Sequence, residues 1–462
     1  MKADPALVAR LPDELPDLDW ITDPSRVARL SQDFSWFSPV LKRELHGKLA
    51  DAAVRPRTED EVLRLVAACA RDRIPMTLRG SGTGNYGQSI PLRGGLIVDM
   101  TAFNAFGWVR AGVGRAQAGM RLADFDKQAR PHGWELRWLP STFRTATLGG
   151  LFGGGFGGAG SITYGPVAAP GNVLGARVMT VEPEPRVLEL RGRDAMLLHH
   201  TYGTNGIVLE LEMALGPALP WLEAIATFAT FDAALAFADF LASAPGLVKK
   251  EVCFMSAPVA GYMTALADFL PAGRAAVLLA VAESSESGML DLLAAHAGEI
   301  TYRKSAAEVR ASGRTLLEFT WNHTTLHALK IDKSLTYIQS SFDPTRKLEQ
   351  VQALERALGG EVLMHLEFLR TRDGAHGCSG LQLIRYSSDA RLDEIMRIHR
   401  EHGVTINNPH AYMVEDGKQG KLSPGVVETK ESYDPLGLLN PGKLRAWAER
   451  EATQGRALGA AA

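Results

Sequence analysis

Two glycine-rich stretches set the terms on which this 462-residue chain can fold. The first, RGSGTGNYG at residues 79–87, contains a literal G-x-G-x-x-G, the fingerprint of a dinucleotide turn. In that turn a helix begins directly behind the glycines, and its free N–H groups hold the pyrophosphate. Here the chain continues QSIPLRGG, and Pro91 with Gly94-Gly95 breaks any helix within two turns. The loop must therefore hold a ligand with its own backbone. Glycines 80, 82, 84 and 87 permit positive φ and close approach, so successive N–H groups can turn inward as an anion-binding nest. A glycine-rich turn without any ligand is the alternative. The second stretch, PSTFRTATLGGLFGGGFGGAGSITYG at residues 140–165, is too dense in glycine for a single turn. Thr145 or Thr147 can cap a short helix there, with Gly149, Gly150, Gly153 and Gly154 letting phosphates approach closely. Two separate bends built to approach a polyanion suit a dinucleotide of FAD length.

The rest of the chain bounds the possibilities. Fifty Lys and Arg face 52 Asp and Glu, for a net charge of -2, which leaves no electrostatic footprint for nucleic acid. Three scattered cysteines, Cys69, Cys253 and Cys378, offer neither a disulfide framework nor C-x-x-C metal spacing, and no metal is expected. MKADPALVARLPDELPD has acids and prolines where a secretory signal has an apolar core, and no later run is long enough to span a bilayer; a cytoplasmic protein is expected. After an N-terminal arm (1–50), TEDEVLRLVAACARDRI reads as a helix with Thr58 and Glu61 forming a capping box, followed by the strand-like MTLRG, the loop, and the strand-like GLIVDM.

At this point the chain resembles the FAD-binding PCMH-type superfamily, typified by vanillyl-alcohol oxidase and p-cresol methylhydroxylase, which includes D-lactate and glycolate dehydrogenases. The resemblance rests on RGSGTGNYG followed by LIVDM, on PSTFRTATLGG with GGFGGAGSITYG, on GTNGIVLELEM at 203–213, and on YDPLGLLNPGKL at 433–444. It implies an α+β fold: a two-subdomain FAD-binding domain (51–218), an inserted α+β substrate-binding cap (219–404), and a C-terminal segment (405–462) returning to the FAD domain. It places FAD against Arg79, Gly80, Ser81, Gly82, Thr83, Gly84, Asn85 and Gly87 of the loop. In the second stretch it implicates Pro140, Ser141, Thr142, Thr147, Gly149, Gly150, Gly154, Gly157, Gly158 and Tyr164. Gly206, Ile207, Val208 and Asn440 complete the set. Many relatives tether the flavin through a histidine where Thr83 stands, and none of the cysteines lies in the second segment, so noncovalent FAD is expected at those sites. The metal-associated H-G-D-G-N-x-H and G-E-H-G runs of the hydroxy-acid branch are missing.

Flavin oxidation of an alcohol needs a base beside the substrate. In EFTWNHTTLHALK, His323 and His327 share a helix face at i, i+4, with Thr324 where a zinc protease motif has Glu; packing or a substrate-facing role for His323 are the readings. EVLMHLEFLR alternates as a strand, with Met364, Leu366 and Phe368 towards a core and His365 and Glu367 paired on the other face, which is either solvated or catalytic. In INNPHAYMVED, His410 and Tyr412 fall on one side if the stretch is extended, either over the flavin as catalytic groups or in structural hydrogen bonds. His399 and His402 are read as lying on an exposed helix. The expected function is FAD-dependent oxidation of a small alcohol or hydroxy acid by hydride transfer, with dioxygen or a redox carrier as acceptor; many relatives are dimers, and a homodimer is the corresponding expectation. The alternatives are a vanillyl-alcohol-type oxidase of para-substituted phenols, a flavin-binding protein without turnover, and a nicotinamide enzyme.

Overall fold

A computed structural model describes residues 3–418 and 422–460, an α+β arrangement of three principal sheets. The first has four strands in the order Asp19–Ile21, Ala52–Arg55, Leu96–Asp99, Met76–Arg79; the last three are parallel. Two of its parallel strands, Ala52–Arg55 and Leu96–Asp99, carry three consecutive apolar residues each, as buried parallel strands do. The helix Glu59–Asp72 buries Val62, Leu65, Val66 and Cys69 against it. Thr58 caps that helix by accepting from the Glu61 amide at 3.2 Å, but the Glu61 carboxylate reaches Arg57 N at 2.6 Å, so only half of the expected capping box forms. Asp19–Ile21, inside the stretch expected as an arm, pairs antiparallel with Ala52–Arg55.

The second sheet runs Phe106–Arg110, Val113–Gln117, Ile207–Pro217, Val173–Met179, Val187–Arg191, all antiparallel, with Trp134–Leu136 joined to the far end of Ile207–Pro217. The third has eight strands: Glu299–Lys304, Trp221–Phe228, Ala275–Ala282, Lys249–Met255, His365–Arg370, His376–Gly380, Gln339–Ser341 and Thr405–Asn407. Thr405–Asn407 thus enters this sheet just beyond residue 404. One face, with Val252, Phe254, Leu366 and Phe368, packs with Phe237 and Leu241 of helix Phe231–Ser243, Leu354 of Lys347–Leu358 and Ile395 of Asp389–Glu401. The strand alternation read from EVLMHLEFLR holds: the opposite face carries Glu251, Cys253, His365 and Glu367. His399, expected on an exposed surface, is instead fully buried with its ring nitrogen Nδ1 on the Ile395 carbonyl, because its helix presses that side onto the sheet.

The chain's end closes the first sheet. Met76 N donates to Leu438 O at 2.8 Å and Asn440 N to Met76 O at 2.7 Å, so the C-terminal segment lies alongside Met76–Arg79. No described helix is long and apolar enough to cross a membrane.

Candidate cofactor and active site

The two glycine-rich stretches meet. A Cβ on Gly80 would come within 2.2 Å of Thr147 Oγ1, so only glycine lets the loop and the second stretch touch there. Ser81 Oγ donates to Thr145 O, and Gln88 Nε2 donates to Gly154 O at 2.9 Å. Thr147 caps the helix Leu148–Gly154 by accepting from Gly150 N at 3.2 Å, resolving the choice between Thr145 and Thr147. Gly82 has φ 65° with its Cβ position filled by the Arg79 guanidinium, and Gly87 has φ 72°.

The C-terminal segment backs this seam. Asn440 Nδ2 donates to Gln88 O and to Tyr202 O, each at 2.7 Å, and Lys443 Nζ donates to Gly87 O at 2.5 Å. Gly206, at φ 85°, turns the chain into the strand Ile207–Pro217, placing Ile207 and Val208 opposite Met179 and Val178. Asn85 Nδ2 donates to Tyr337 OH at 2.6 Å, 252 positions along the chain. Pro140, Ser141 and Thr142 form the turn before the capped helix; Gly158 lies against the Leu139–Pro140 backbone and Gly157 against Ser161 Oγ. Tyr164 sits at the far end, its ring 4.8 Å from the Arg137 guanidinium.

These residues fit an anionic dinucleotide. Gln88 Oε1 and Asn440 Oδ1 are buried at the seam without a hydrogen-bond partner among the described residues. Arg79 donates to Gln32 O at 2.6 Å, Ser89 Oγ at 3.3 Å and Ser81 O at 3.3 Å. Burial holds its guanidinium below its usual pKa. A guanidinium whose hydrogen-bond partners are all neutral oxygens, beside a glycine-rich loop, is suited to phosphate. A separate groove of about 570 Å³, lined by Phe106, Met120, Arg121 and Lys127, opens elsewhere, and none of the loop glycines lines it.

The polar face of the eight-stranded sheet lies beside the second stretch. Gly160 N donates to Lys250 O at 2.5 Å and Thr163 Oγ1 to Lys249 O at 2.7 Å, pinning the stretch to the strand Lys249–Met255. The exposed ring of Phe156 faces the Trp321 indole with centroids 6.4 Å apart. Trp321 is held at φ 53°, a region that costs a non-glycine residue about 1–3 kcal/mol unless its surroundings over-determine it. They do: its N–H donates to Glu367 Oε1 at 2.5 Å and its indole N–H to Glu251 Oε2 at 2.9 Å.

The histidine candidates separate sharply. His365 and Glu367 are fully buried beneath Trp321 and the helix Asn322–Ile331, not solvated. His365 Nδ1 contacts Leu381 O at 3.2 Å and Nε2 contacts Glu367 Oε1 at 2.9 Å. Burial pushes the imidazole down to about 4 and Glu367 up to about 7, and holds Glu251 far above the carboxylate range, so the cluster favours neutral members.

His410 does not lie on a strand: it sits in a turn with Nδ1 on Ser38 Oγ at 2.7 Å, while Tyr412 lies 5.1 Å from Lys443 Nζ. His323 differs from both. Its Nδ1 is fixed on Glu318 O at 3.1 Å, it is only partly buried, and burial keeps its pKa below the ordinary imidazole value. Nδ1 must be the protonated nitrogen, which leaves the Nε2 lone pair free to accept a proton. His327 stacks on Phe319 at 4.7 Å, a packing role. Sequence reasoning missed Trp321, Glu251 and Cys253, none of which belongs to a local motif.

The family described as "FAD binding domain" matches residues 50–190. Over 196 residues the chain is 31% identical to an uncharacterized FAD-linked oxidoreductase of Mycobacterium tuberculosis, covering 40% of this chain and 42% of that protein, so it spans about two fifths of that relative. It is 24% identical over 450 residues to a D-lactate dehydrogenase of Anaerostipes hadrus, covering 87% and 90% of the two chains. The fold is similar to that of alkyldihydroxyacetonephosphate synthase, with TM-score 0.71, 18% identity, and coverage of 96% of this chain and 85% of the other. With its two glycine stretches joined in one seam and the family match over residues 50–190, the chain carries an FAD-binding domain and is similar over most of its length to an FAD-linked dehydrogenase.

Proposed function

We propose that this protein is an FAD-dependent oxidoreductase that oxidises a small 2-hydroxy acid to the corresponding 2-oxo acid, with residues 51–218 and the C-terminal segment beyond Asn407 holding the cofactor and residues 219–407 forming the cap over the substrate. When bound, FAD supplies the hydride acceptor. The loop amides of residues 80–87, Arg79 and the Thr147-capped helix hold and orient the pyrophosphate. Phe156 and Trp321 shield the reacting centre from water. His323 Nε2 receives the hydroxyl proton as the C–H bond breaks, its tautomer set by Glu318 O.

What supports the reading is the junction itself: the two glycine stretches meet at Gly80 and Thr147, Phe156 of the second faces Trp321, and His323, two residues along the chain from Trp321, keeps Nδ1 on Glu318 O. Similarity to a D-lactate dehydrogenase favours hydroxy acids over para-substituted phenols. The flavin is held without a covalent tether at Thr83, and dioxygen or a redox carrier restores it.

The test is anaerobic addition of glycolate, lactate and 2-hydroxyglutarate enantiomers to the yellow holoprotein. Loss of flavin absorbance with at least one is expected; no response to any of them, with bleaching by a para-substituted phenol, would overturn the substrate class. His323→Asn is expected to slow that step by about 10²–10⁴-fold at unchanged flavin content. Because the folded imidazole pKa lies below the ordinary value, the wild-type rate should hold at pH 7 and fall only on further acidification, an acid limb the variant lacks. Acid precipitation should leave the yellow colour in the supernatant.

A further inference from the structure

Beneath Trp321 the eight-stranded sheet gathers a donor set that hydrogen bonding alone does not account for. Strand Lys249–Met255 contributes Cys253, and its antiparallel neighbour His365–Arg370 contributes His365 and Glu367; Cys253 pairs with Glu367 in register, and alternation puts all three on one face. All three are completely buried. Their ligating atoms lie within 4.8 Å of one another.

His365 Nε2 is the focus. Glu367 Oε1 lies 2.9 Å from it, Thr324 Oγ1 3.2 Å and Cys253 Sγ 3.3 Å. With Nδ1–H directed at Leu381 O, Nε2 offers one lone pair, and a single proton can satisfy only one of these three neighbours. The Thr324 hydroxyl hydrogen is already directed at Phe319 O, 2.7 Å away, so its oxygen turns a lone pair towards another lone pair. No fixed donor among the described residues reaches Glu367 Oε2, and the carboxyl also faces the Glu251 carboxyl and the Cys253 thiol, which compete for the same protons.

We propose that Cys253, His365 and Glu367 form a buried site for a divalent cation of tetrahedral preference, zinc being the best chemical match. Around such an ion, with metal–N and metal–O near ~2.0–2.1 Å and metal–S near ~2.3 Å, ligand atoms stand roughly 3.3–3.6 Å apart. The observed 2.9 and 3.3 Å separations need open by only a few tenths of an ångström. Thiolate, carboxylate and neutral imidazole balance the two positive charges, so the loaded site places no net charge in the core. Loading releases two protons to solvent, one from the Cys253 thiol and one from the Glu367 carboxyl. Thr324 Oγ1 is the nearest neutral oxygen for the fourth position. The donors are unrelated to the two histidine runs that this sequence lacks.

The ion would lock two neighbouring strands together and fix the carboxylate that holds Trp321 N, so it positions the indole facing Phe156. The test is the elemental content of holoprotein refolded with excess zinc and desalted. Stoichiometric zinc is expected in wild type and in Glu251→Gln, and none above background in Cys253→Ser and His365→Ala, with flavin content serving as the check that each variant folds. Cobalt refolded into the wild type should give thiolate-to-cobalt charge-transfer absorption that Cys253→Ser lacks. If a yellow wild type holds no more zinc than the yellow variants, the site is a proton-sharing cluster and the proposal fails. Should Cys253→Ser not fold, zinc retained by a yellow His365→Ala would equally overturn it. This measurement is independent of any substrate turnover.

Discussion

Lys443 illustrates what a single buried charge does beside the glycine loop. It is fully buried, and burial pushes its ammonium down to about 7, opposed only by the distant Asp33 carboxylate. In the unfolded chain the same group titrates near ~10.4. Between these values the unfolded chain binds a proton that the folded one does not, so folding stability rises with pH across that window, and the full cost is present below it. Lys443→Met should therefore stabilise the cofactor-free protein at pH 6, with the advantage vanishing by pH 10. Thermal melts across pH would show this; a pH-independent difference would contradict it. The Gly87 carbonyl keeps a second donor, Ile90 N at 3.2 Å, so the substitution does not orphan it.

At the scale of elements, the helix Val426–Tyr433 ties the chain's end to the cofactor domain through one buried pair. Lys430 Nζ lies 2.5 Å from Asp434 Oδ2 and also donates to Thr204 O at 2.9 Å and Leu439 O at 3.1 Å. Asp434 in turn accepts from Leu438 N at 2.9 Å and Leu439 N at 2.8 Å. Those two residues lie beside Met76–Arg79, immediately before the glycine loop. Removing one member of a buried pair leaves the other uncompensated, which costs about 3–5 kcal/mol. Lys430→Met should lower the urea midpoint accordingly and weaken FAD retention with it. A loss of stability with full retention of flavin would show that the segment does not support the loop.

For the molecule as a whole, residues 51–218 and 219–407 are joined, among the described residues, by ionic contacts of opposite character. Arg144 meets Glu318 with bonds of 2.7 and 2.9 Å and also donates to Gly313 O, but its side chain is 47% exposed. Lys250 and Glu135 meet at 2.7 Å with side chains 4% and 5% exposed, and Trp221 Nε1 shares the carboxylate at 2.9 Å. Exposed pairs are worth at most about 1 kcal/mol and are screened by salt. Buried ones are costly to break. Arg144→Ala should therefore shift the denaturation midpoint slightly, and less at high salt, whereas Glu135→Ala should cost about 3–5 kcal/mol at any salt. Equal effects would mean that the junction is not organised around the buried pair.

Local chemistry was legible in the sequence by itself: the helix behind Thr58, the non-helical course of QSIPLRGG, a threonine cap at 145 or 147 and the alternation of EVLMHLEFLR all depend on a few neighbouring residues, whereas the contact of the two glycine bends at Gly80 and Thr147 is tertiary. Which histidine faces what did not depend on neighbours. His410 meets Ser38 across 372 positions of chain, and Cys253 meets His365 across 112. The second face of the strand His365–Arg370 reads equally well as solvated until Trp321 and the helix Asn322–Ile331 cover it. Burial, and with it every displaced proton equilibrium in that cluster, comes from elements distant in the chain that pack there, so only the tertiary structure decided it.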